Sequence, residues 1–163
     1  MATNYAWPAS GLLTVLLLTS CAPNHVRQLS GTGVSTGVCP PDDQSDAAPP
    51  PTMADLNVLR RADALLSEPA AWNHFGERDC DAMARSWNLY CVLHRASLDV
   101  TGLACHRSAA MQEVRWVVDD RTRGIDLAHR LMDYNNLPTT TFADIKGVLA
   151  EAIQRLSGKL HAS

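Results

Sequence analysis

Beyond residue 52, apolar side chains recur every three or four positions, the spacing that places them on one face of an α-helix. The first run predicts a helix that begins after Thr52, because Thr52 and Asp55 have the spacing of a capping box. This helix should end near Ser67, since the residue before Pro69 avoids helical geometry. Its apolar face comprises Leu59, Ala62, Leu65 and Leu66.

Two further helices are predicted in the middle of the chain. After a loop over residues 70–78, one helix should run from about Cys80 to Leu98, with an apolar face of Cys80, Met83, Trp87, Cys91, His94 and Leu98. Ser108 can cap the next helix, which would bury Met111, Val114, Val117 and Val118. Residues 113–117 also alternate between polar and apolar side chains, so a strand is the alternative there.

The last third of the chain predicts two more helices. One is marked by Ile125, Ala128, Leu131 and Met132 and should end near Tyr134. The other begins at a second capping box, Thr141 with Asp144, and should end at Ser157-Gly158. The pattern therefore predicts an all-α domain over residues 52–160, a compact bundle of four to five short helices with antiparallel neighbours.

The N-terminal segment has a different character. Residues 12–18 are a short apolar run, and Leu18-Thr19-Ser20-Cys21 resembles the lipoprotein box of bacteria. This resemblance implies a signal peptide over residues 1–20 and a lipid on Cys21, which would tether the domain to the cell envelope. Residues 1–11 contain no Lys or Arg, however. Cytoplasmic translation from Met53 and cleavage of a signal at another position therefore stay open as alternatives.

Residues 21–51 form the predicted linker. They are rich in Ser, Thr, Gly and Asp and end in Pro49-Pro50-Pro51. A segment of this composition has too little apolar surface to offset the entropy cost of ordering. We therefore expect a disordered tether with a stiffer polyproline end.

Composition and charge exclude several classes of function. With 46% hydrophobic and 19% charged residues, the chain lies in the globular range. Its formal net charge of −3 argues against nucleic-acid binding, which needs clustered Lys and Arg. No apolar stretch approaches the roughly 20 residues of a membrane-spanning helix. Contact with a membrane is therefore expected only through a lipid on Cys21.

One segment resembles the signature of a family of small helical bacterial and phage proteins that is known only as a domain of unknown function. The family form is Trp-Asn-Asp, a variable residue, Pro, two more residues and Thr; here the segment is Tyr134-Asn135-Asn136-Leu137-Pro138-Thr139-Thr140-Thr141. Other features similar to the family are Leu59-Arg60-Arg61-Ala62, Trp72 and Cys91. The resemblance covers about residues 56–156 and implies a helical fold, but it implies no activity. Tyr134, Asn136 and Thr140 replace Trp, Asp and Arg, so this turn lacks the charged groups of the family form.

The turn of Asn135, Asn136, Pro138 and Thr141 has two interpretations. In the functional one, the Asn side chains beside a helix N-terminus hold an anion or a carboxylate. In the structural one, which we favour, Asn accepts left-handed geometry after one helix, Pro138 fixes the turn and Thr141 caps the next helix.

Cysteine and histidine provide weak candidates for a metal site. Cys91 and His94 lie one helical turn apart, and Cys105 could approach them from a loop. In an exported protein, one or two disulfides could instead form among Cys39, Cys80, Cys91 and Cys105. In the cytoplasm these thiols would be free, and Cys91 would serve as a small core residue.

No catalytic motif is present in the sequence: it lacks a nucleophile elbow, a phosphate loop and a dinucleotide-binding fingerprint. We therefore expect no cofactor and lean against an enzyme. The tryptophans Trp72, Trp87 and Trp116 are expected in the core. The sequence favours a non-enzymatic helical module that binds an unknown protein partner or itself. The alternative is a small metal- or ligand-binding protein that uses its Cys and His residues.

Overall fold

The structure, a computed structural model, describes Cys39 and residues 48–162. In that part of the chain it contains five α-helices and a short 3-10 turn, with no strand beyond a single bridge. The helices are α1 (Met53–Leu65), α2 (Leu89–Thr101), α3 (Ala109–Arg121), α4 (Arg130–Asn136) and α5 (Phe142–Ala162), and the 3-10 turn is Pro69–Ala71. The predicted all-α class is thereby confirmed. The predicted signal peptide, Cys21 and most of the predicted linker lie outside the described residues.

The hydrophobic core forms between α1, α2, α3 and α5. Helix α1 packs against α2 and α5, while α3 packs against α5 and α4. Large aliphatic side chains from four helices are fully buried there, among them Leu59, Leu93, Val114 and Leu149. Burial of each such side chain stabilises the fold by roughly 1.5–3 kcal/mol. None of the helices in the described ranges is long and apolar enough to cross a membrane.

The predicted starts of α1 and α3 are confirmed in atomic detail. At the start of α1, the Thr52 hydroxyl accepts the Asp55 amide at 3.3 Å, and the Asp55 carboxylate accepts the Thr52 amide at 3.0 Å. Ser108 caps α3 by accepting the Met111 amide at 3.3 Å. The strand alternative for residues 113–117 is wrong, because these residues lie inside α3.

The second capping box gives a quantitative prediction. Thr141 accepts the Asp144 amide at 3.2 Å, and Asp144 accepts the Thr141 amide at 2.8 Å. Replacing Thr141 with Ala should lower the free energy of unfolding by about 1 kcal/mol, because one amide of the first turn loses its partner. The matched control is Thr139→Ala, an exposed threonine two residues earlier, which should change stability much less. Urea denaturation of both variants measures the difference.

The predicted start of the second helix is wrong by nine residues, since α2 begins at Leu89 and not at Cys80. A disulfide joins Cys80 to Cys91, with their Cα atoms 5.2 Å apart. In one continuous helix, residues separated by eleven positions would be roughly 16 Å apart. Covalent pairing is therefore incompatible with helix over this stretch, and Met83 is 84% exposed instead of buried.

Two other predicted boundaries are also wrong. Helix α4 begins at Arg130, and Ile125, predicted as part of its apolar face, is 53% exposed. Helix α5 continues past Ser157-Gly158 to Ala162. The continuation has a physical reason: Lys159 forms an ion pair with Glu113 of α3 at 2.5 Å, and Leu160 packs against the core. These tertiary contacts outweigh the low helix propensity of one glycine.

An ion-pair network joins the end of α3 to α5. Arg155 contacts Asp120 at 2.7 Å and Glu151 at 2.5 Å, and Arg121 contacts Glu151 at 2.9 Å. The hydrogen bond from Arg121 lowers the pKa of the Glu151 carboxyl, and the hydrogen bond from Arg155 lowers the pKa of Asp120. Both carboxylates are therefore favoured in their charged form when the protein is folded.

These lowered pKa values predict an acid dependence of stability. A carboxyl whose pKa is lower in the folded than in the unfolded state stabilises the fold above its unfolded pKa, which is 4.5 for Glu. That stabilisation should be present above about pH 4.5 and be lost as the pH falls further. The effect should be small, because exposed pairs are screened by solvent. Urea denaturation at pH values between 3 and 6, in steps of about half a pH unit, measures the stability at each pH. The stability of the Glu151→Gln variant should depend less on pH over this range.

The described end of the linker lies against the domain. Pro49, Pro50 and Pro51 border a groove with Trp116, Leu156 and Lys159. The Lys159 ammonium sits 4.6 Å from the centre of the Trp116 ring, a cation–π distance. Trp116 is therefore half-buried beside the polyproline end and not part of the main core. Trp72 and Trp87 pack at the edge of that core, as predicted.

Candidate functional site

Residues 72–88 connect the 3-10 turn to α2, and we call this segment the clamped loop. Its two ends are joined by backbone hydrogen bonds: the Asn73 amide donates to Trp87 at 3.0 Å, and the Trp87 amide donates to Ala71 at 2.9 Å. These bonds form the single bridge between Trp72 and Trp87. The loop is thus closed at its base without belonging to a sheet.

Asn135, in the last turn of α4, holds the start of the clamped loop. Its side chain is fully buried. The amide nitrogen donates to the carbonyl oxygens of Asn73 and His74 at 3.0 and 2.7 Å. The amide oxygen accepts the Trp72 indole N–H at 2.8 Å and the Leu89 amide at 3.0 Å. One side chain therefore links α4, the start of the loop and the first residue of α2.

Neighbouring groups of the same motif extend this attachment. Asn136 exchanges two hydrogen bonds with the backbone of Gly76, at 3.0 and 3.3 Å. The His74 ring lies 2.9 Å from the carbonyl oxygen of Leu137, immediately before Pro138. The buried Thr140 hydroxyl donates to the Tyr134 carbonyl at 2.7 Å and closes the turn after α4. Asn135 and Asn136 of this motif thus hold the loop, and Thr141 at its end caps α5.

Gly76 has a steric role where the loop approaches α2. Asn88 caps α2 by accepting the Cys91 amide at 2.8 Å, and its amide nitrogen donates to the Glu77 carbonyl at 2.7 Å. A Cβ atom on residue 76 would lie 2.2 Å from that amide nitrogen. Only glycine permits this close approach, so the backbone of the loop is packed directly against the helix cap.

The second half of the loop is fixed covalently. The Cys80–Cys91 disulfide attaches it to the first turn of α2. Arg95, one turn further along α2, donates to the Ala82 carbonyl at 3.2 Å. The second half of the loop is therefore attached to α2 at Cys80 by the disulfide and at Ala82 by the hydrogen bond from Arg95.

Two large apolar side chains of the clamped loop nevertheless face solvent. Phe75 is 70% exposed and Met83 is 84% exposed. The Phe75 ring stacks on His74 at a centroid distance of 4.2 Å, and His74 in turn lies 4.7 Å from Trp72. The Phe75 ring is therefore packed on one face against the His74 ring, and His74 is packed against Trp72. The loop is held by many polar contacts, yet Phe75 and Met83 contribute little to the core.

A family model described as a family of unknown function (DUF6197) matches residues 50–155, more than half of the chain. The chain belongs to the DUF6197 family. No curated protein and no solved structure matches it. Membership in DUF6197 confirms the expected relation to a domain of unknown function and brings no activity with it.

The DUF6197 region contains the whole clamped loop and the residues that hold it. Trp72, Cys91 and Asn135, which carried the resemblance in the sequence, all contact this loop or belong to it. Asn135 and Asn136 are not a left-handed turn after a helix, as predicted, because both lie within α4. The predicted cap at Thr141 is present. The bacterial or phage origin of the family signature stays a prediction.

The metal candidates are placed in disulfides. Cys91 pairs with Cys80, and Cys105 pairs with Cys39. In this covalent state neither cysteine offers a thiolate to a metal beside His94. Among the described residues, no group of three or more His, Cys, Asp and Glu side chains is arranged to hold a metal ion. A metal site at Cys91, His94 and Cys105 would require a different covalent state of the protein.

Sequence reasoning missed the loop as a site. Its signals were present: an apolar pair, Phe75 and Met83, in a stretch with four acidic or basic residues between Gly76 and Ala82, and an Asn pair far along the chain. The apparent helical periodicity of Cys80, Met83 and Trp87 concealed them, because a three-to-four spacing also arises by chance in a short segment.

Proposed function

We propose that this DUF6197 domain is a non-enzymatic protein-binding module whose contact surface is the clamped loop. The observation that carries the proposal is the combination of exposed Phe75 and Met83 with a backbone held at both ends. Aromatic residues and methionine are enriched in the centres of protein interfaces. A pre-ordered loop also loses less conformational entropy on binding than a flexible one, which favours affinity.

A purely structural role for the clamped loop fits the geometry less well. If the loop were only a structural connection, burial of Phe75 and Met83 would be expected to stabilise it, because exposed apolar surface gives no such benefit. Self-association through the same surface is the second form of the proposal, since two copies could bury these side chains against each other.

We further propose that the domain works outside the cytoplasm, anchored through a lipid on Cys21. The two disulfides support this location, because structural disulfides persist in oxidising compartments. A chain that started at Met53 would lack Cys39, the partner of Cys105. Membrane fractionation and the intact mass of the native protein test this location. A mature N-terminus at Met53 would exclude the anchor and leave the cytoplasmic alternative.

The binding proposal is tested with a matched set of surface variants. Phe75→Ser with Met83→Ser removes both exposed groups from the loop, while Ile125→Ser removes an apolar group that is 53% exposed elsewhere. Cross-linking in the native host followed by mass spectrometry identifies partners of the wild-type domain. The double variant should lose its main partner, whereas Ile125→Ser should retain it. Equal recovery by all three proteins would exclude the loop as the contact surface.

Self-association is distinguished in the same set. Sedimentation of the purified proteins at several concentrations would show a dimer in the wild type and a monomer in the Phe75→Ser, Met83→Ser variant. A monomeric wild type that keeps its cross-linked partner would assign the surface to a different protein.

A further inference from the structure

The groove beside the described end of the linker lies between α3 and α5 and has a volume of about 230 Å³. The two helices contribute five of its lining residues: Ala109, Glu113, Trp116, Leu156 and Lys159. We call it the Trp116 groove. Residues 48–51 of the linker border this space without filling it. The groove therefore has room for more chain than the linker supplies.

The chemistry of the Trp116 groove is mainly apolar. Its two charged residues are paired with each other, since the buried Glu113 carboxylate contacts the Lys159 ammonium. The same ammonium lies 4.6 Å from the centre of the Trp116 ring. The other described lining residues are Ala, Pro, Leu and Trp. A groove whose charges already compensate each other favours an uncharged, apolar ligand over an ion.

The linker segment that borders the groove is restricted to an extended backbone. Each proline ring fixes its own φ, and each of residues 48–50 is also restricted by the proline that follows it. A polyproline II helix has three residues per turn, so two of its edges can contact a surface while the third faces solvent. The burial follows this pattern, because Pro50 is exposed whereas Ala48, Pro49 and Pro51 are half-buried. Proline-rich ligands dock on aromatic-lined grooves in the same manner.

The chain is attached to the domain on both sides of these prolines. Cys39 is joined by a disulfide to Cys105, shortly before α3. Thr52, directly after Pro51, forms the capping box of α1. These two attachments keep the prolines beside Trp116 at a high effective concentration. A ligand from another molecule must therefore compete with them for the groove.

We propose that the Trp116 groove is a binding site for a proline-rich segment of another protein, and that the linker prolines occupy this site in the free domain. A polyproline II segment is already extended before it binds, so it loses little conformational entropy when it docks. A longer segment would also fill the space that Pro49, Pro50 and Pro51 leave open, and this extra contact lets it displace them. None of the described lining residues belongs to the clamped loop, so the proposal does not depend on the protein contact proposed there.

Isothermal titration of the full chain, with its disulfides intact, tests this proposal with a decaproline peptide as the probe. The linker variant Pro49→Ser, Pro50→Ser, Pro51→Ser removes the competing prolines and keeps the Thr52 cap. It should bind decaproline with a Kd of about 1 mM or tighter. The wild type should bind at least about tenfold more weakly, because its apparent affinity is reduced to the fraction of molecules with an open groove. No binding to the linker variant would overturn the proposal, as would equal binding by the two proteins.

Two measurements on the linker variant locate the bound peptide. In NMR spectra, decaproline should shift the indole N–H signal of Trp116 and leave those of Trp72 and Trp87 unchanged, because only Trp116 lines the groove. Adding Trp116→Leu should weaken binding at least about tenfold through loss of the aromatic surface, whereas adding the exposed Ile125→Ser should not change it. Circular dichroism confirms that both are folded. Unchanged Trp116 signals, or equal weakening by the two substitutions, would contradict the groove as the binding site.

A second copy of this chain is the competing occupant, since its own linker prolines could enter the groove. Sedimentation of the wild type and of the linker variant at several concentrations distinguishes the two cases. A wild-type dimer that the linker variant loses would assign the groove to exchange between copies and would overturn the proposal. The same oligomeric state in both proteins would support a proline-rich segment of a different protein as the ligand.

Discussion

Replacing Asn135 with Ala should lower the free energy of unfolding by about 4 kcal/mol, the largest effect expected of any single substitution in the loop attachment. The Asn135 side chain is fully buried and serves four groups of the loop and of α2. Alanine would leave the Trp72 indole N–H and the Leu89 amide without that acceptor. Each buried donor that loses its partner costs about 1–3 kcal/mol.

Chemical denaturation followed by circular dichroism measures this loss. Asn57→Ala is the matched control, because Asn57 is exposed on α1 and alanine has the higher helix propensity. The control should be neutral or slightly more stable than the wild type. A loss below about 1 kcal/mol for Asn135→Ala would mean that the network around Asn135 contributes little to stability.

Removing the Cys80–Cys91 disulfide should cost about 3 kcal/mol. The two cysteines are separated by eleven positions, and a bridge of that span removes a corresponding amount of entropy from the unfolded chain. The double variant Cys80→Ala, Cys91→Ala should therefore unfold at a lower urea concentration. It should also open the second half of the clamped loop, which α2 would then hold mainly through Arg95.

Limited trypsin digestion separates opening of the loop from general loss of stability. Arg78 and Arg85 provide cleavage sites within the loop. The Cys80→Ala, Cys91→Ala variant should be cut there faster than the wild type under native conditions. The control variant Cys39→Ala, Cys105→Ala removes the other disulfide and should lose stability without faster cleavage at these two sites. Equal cleavage rates in all three proteins would show that the Cys80–Cys91 bond does not order the loop.

The starts of α1, α3 and α5 were predictable because their signals are local. Thr52 with Asp55, Ser108, and Thr141 with Asp144 each satisfy helix amides within one turn of the chain, and the structure has these caps where the sequence placed them. The apolar positions predicted for α1 and α3 were also correct, since these side chains are buried or pack against the core.

The start of α2 and the end of α5 depend on residues distant in sequence. A spacing of three or four residues predicted helix from Cys80, but the disulfide and the hydrogen bonds from Asn135 and Asn136 hold that stretch as a loop. Contacts with α3 extend α5 beyond Gly158. Neither effect can be read from a local pattern.

The candidate site was predictable only in part. The Asn-Pro-Thr segment stood out in the sequence; its cap at Thr141 is present, but Asn135 and Asn136 lie inside α4 and not in a left-handed turn. Its partner could not be identified, since the loop that Asn135 holds lies about sixty residues earlier in the chain.

Residues 72–88 form a loop with one fixed backbone, attached to α2 and α4. Hydrogen–deuterium exchange of the native protein, resolved for single amides by NMR, measures whether this backbone is fixed. The Asn73, Gly76, Trp87 and Leu89 amides each donate a hydrogen bond, so they should exchange far more slowly than an unstructured chain. Exchange of these four amides at the rate of an unfolded peptide, while the amides of α1 and α5 stay protected, would contradict the account.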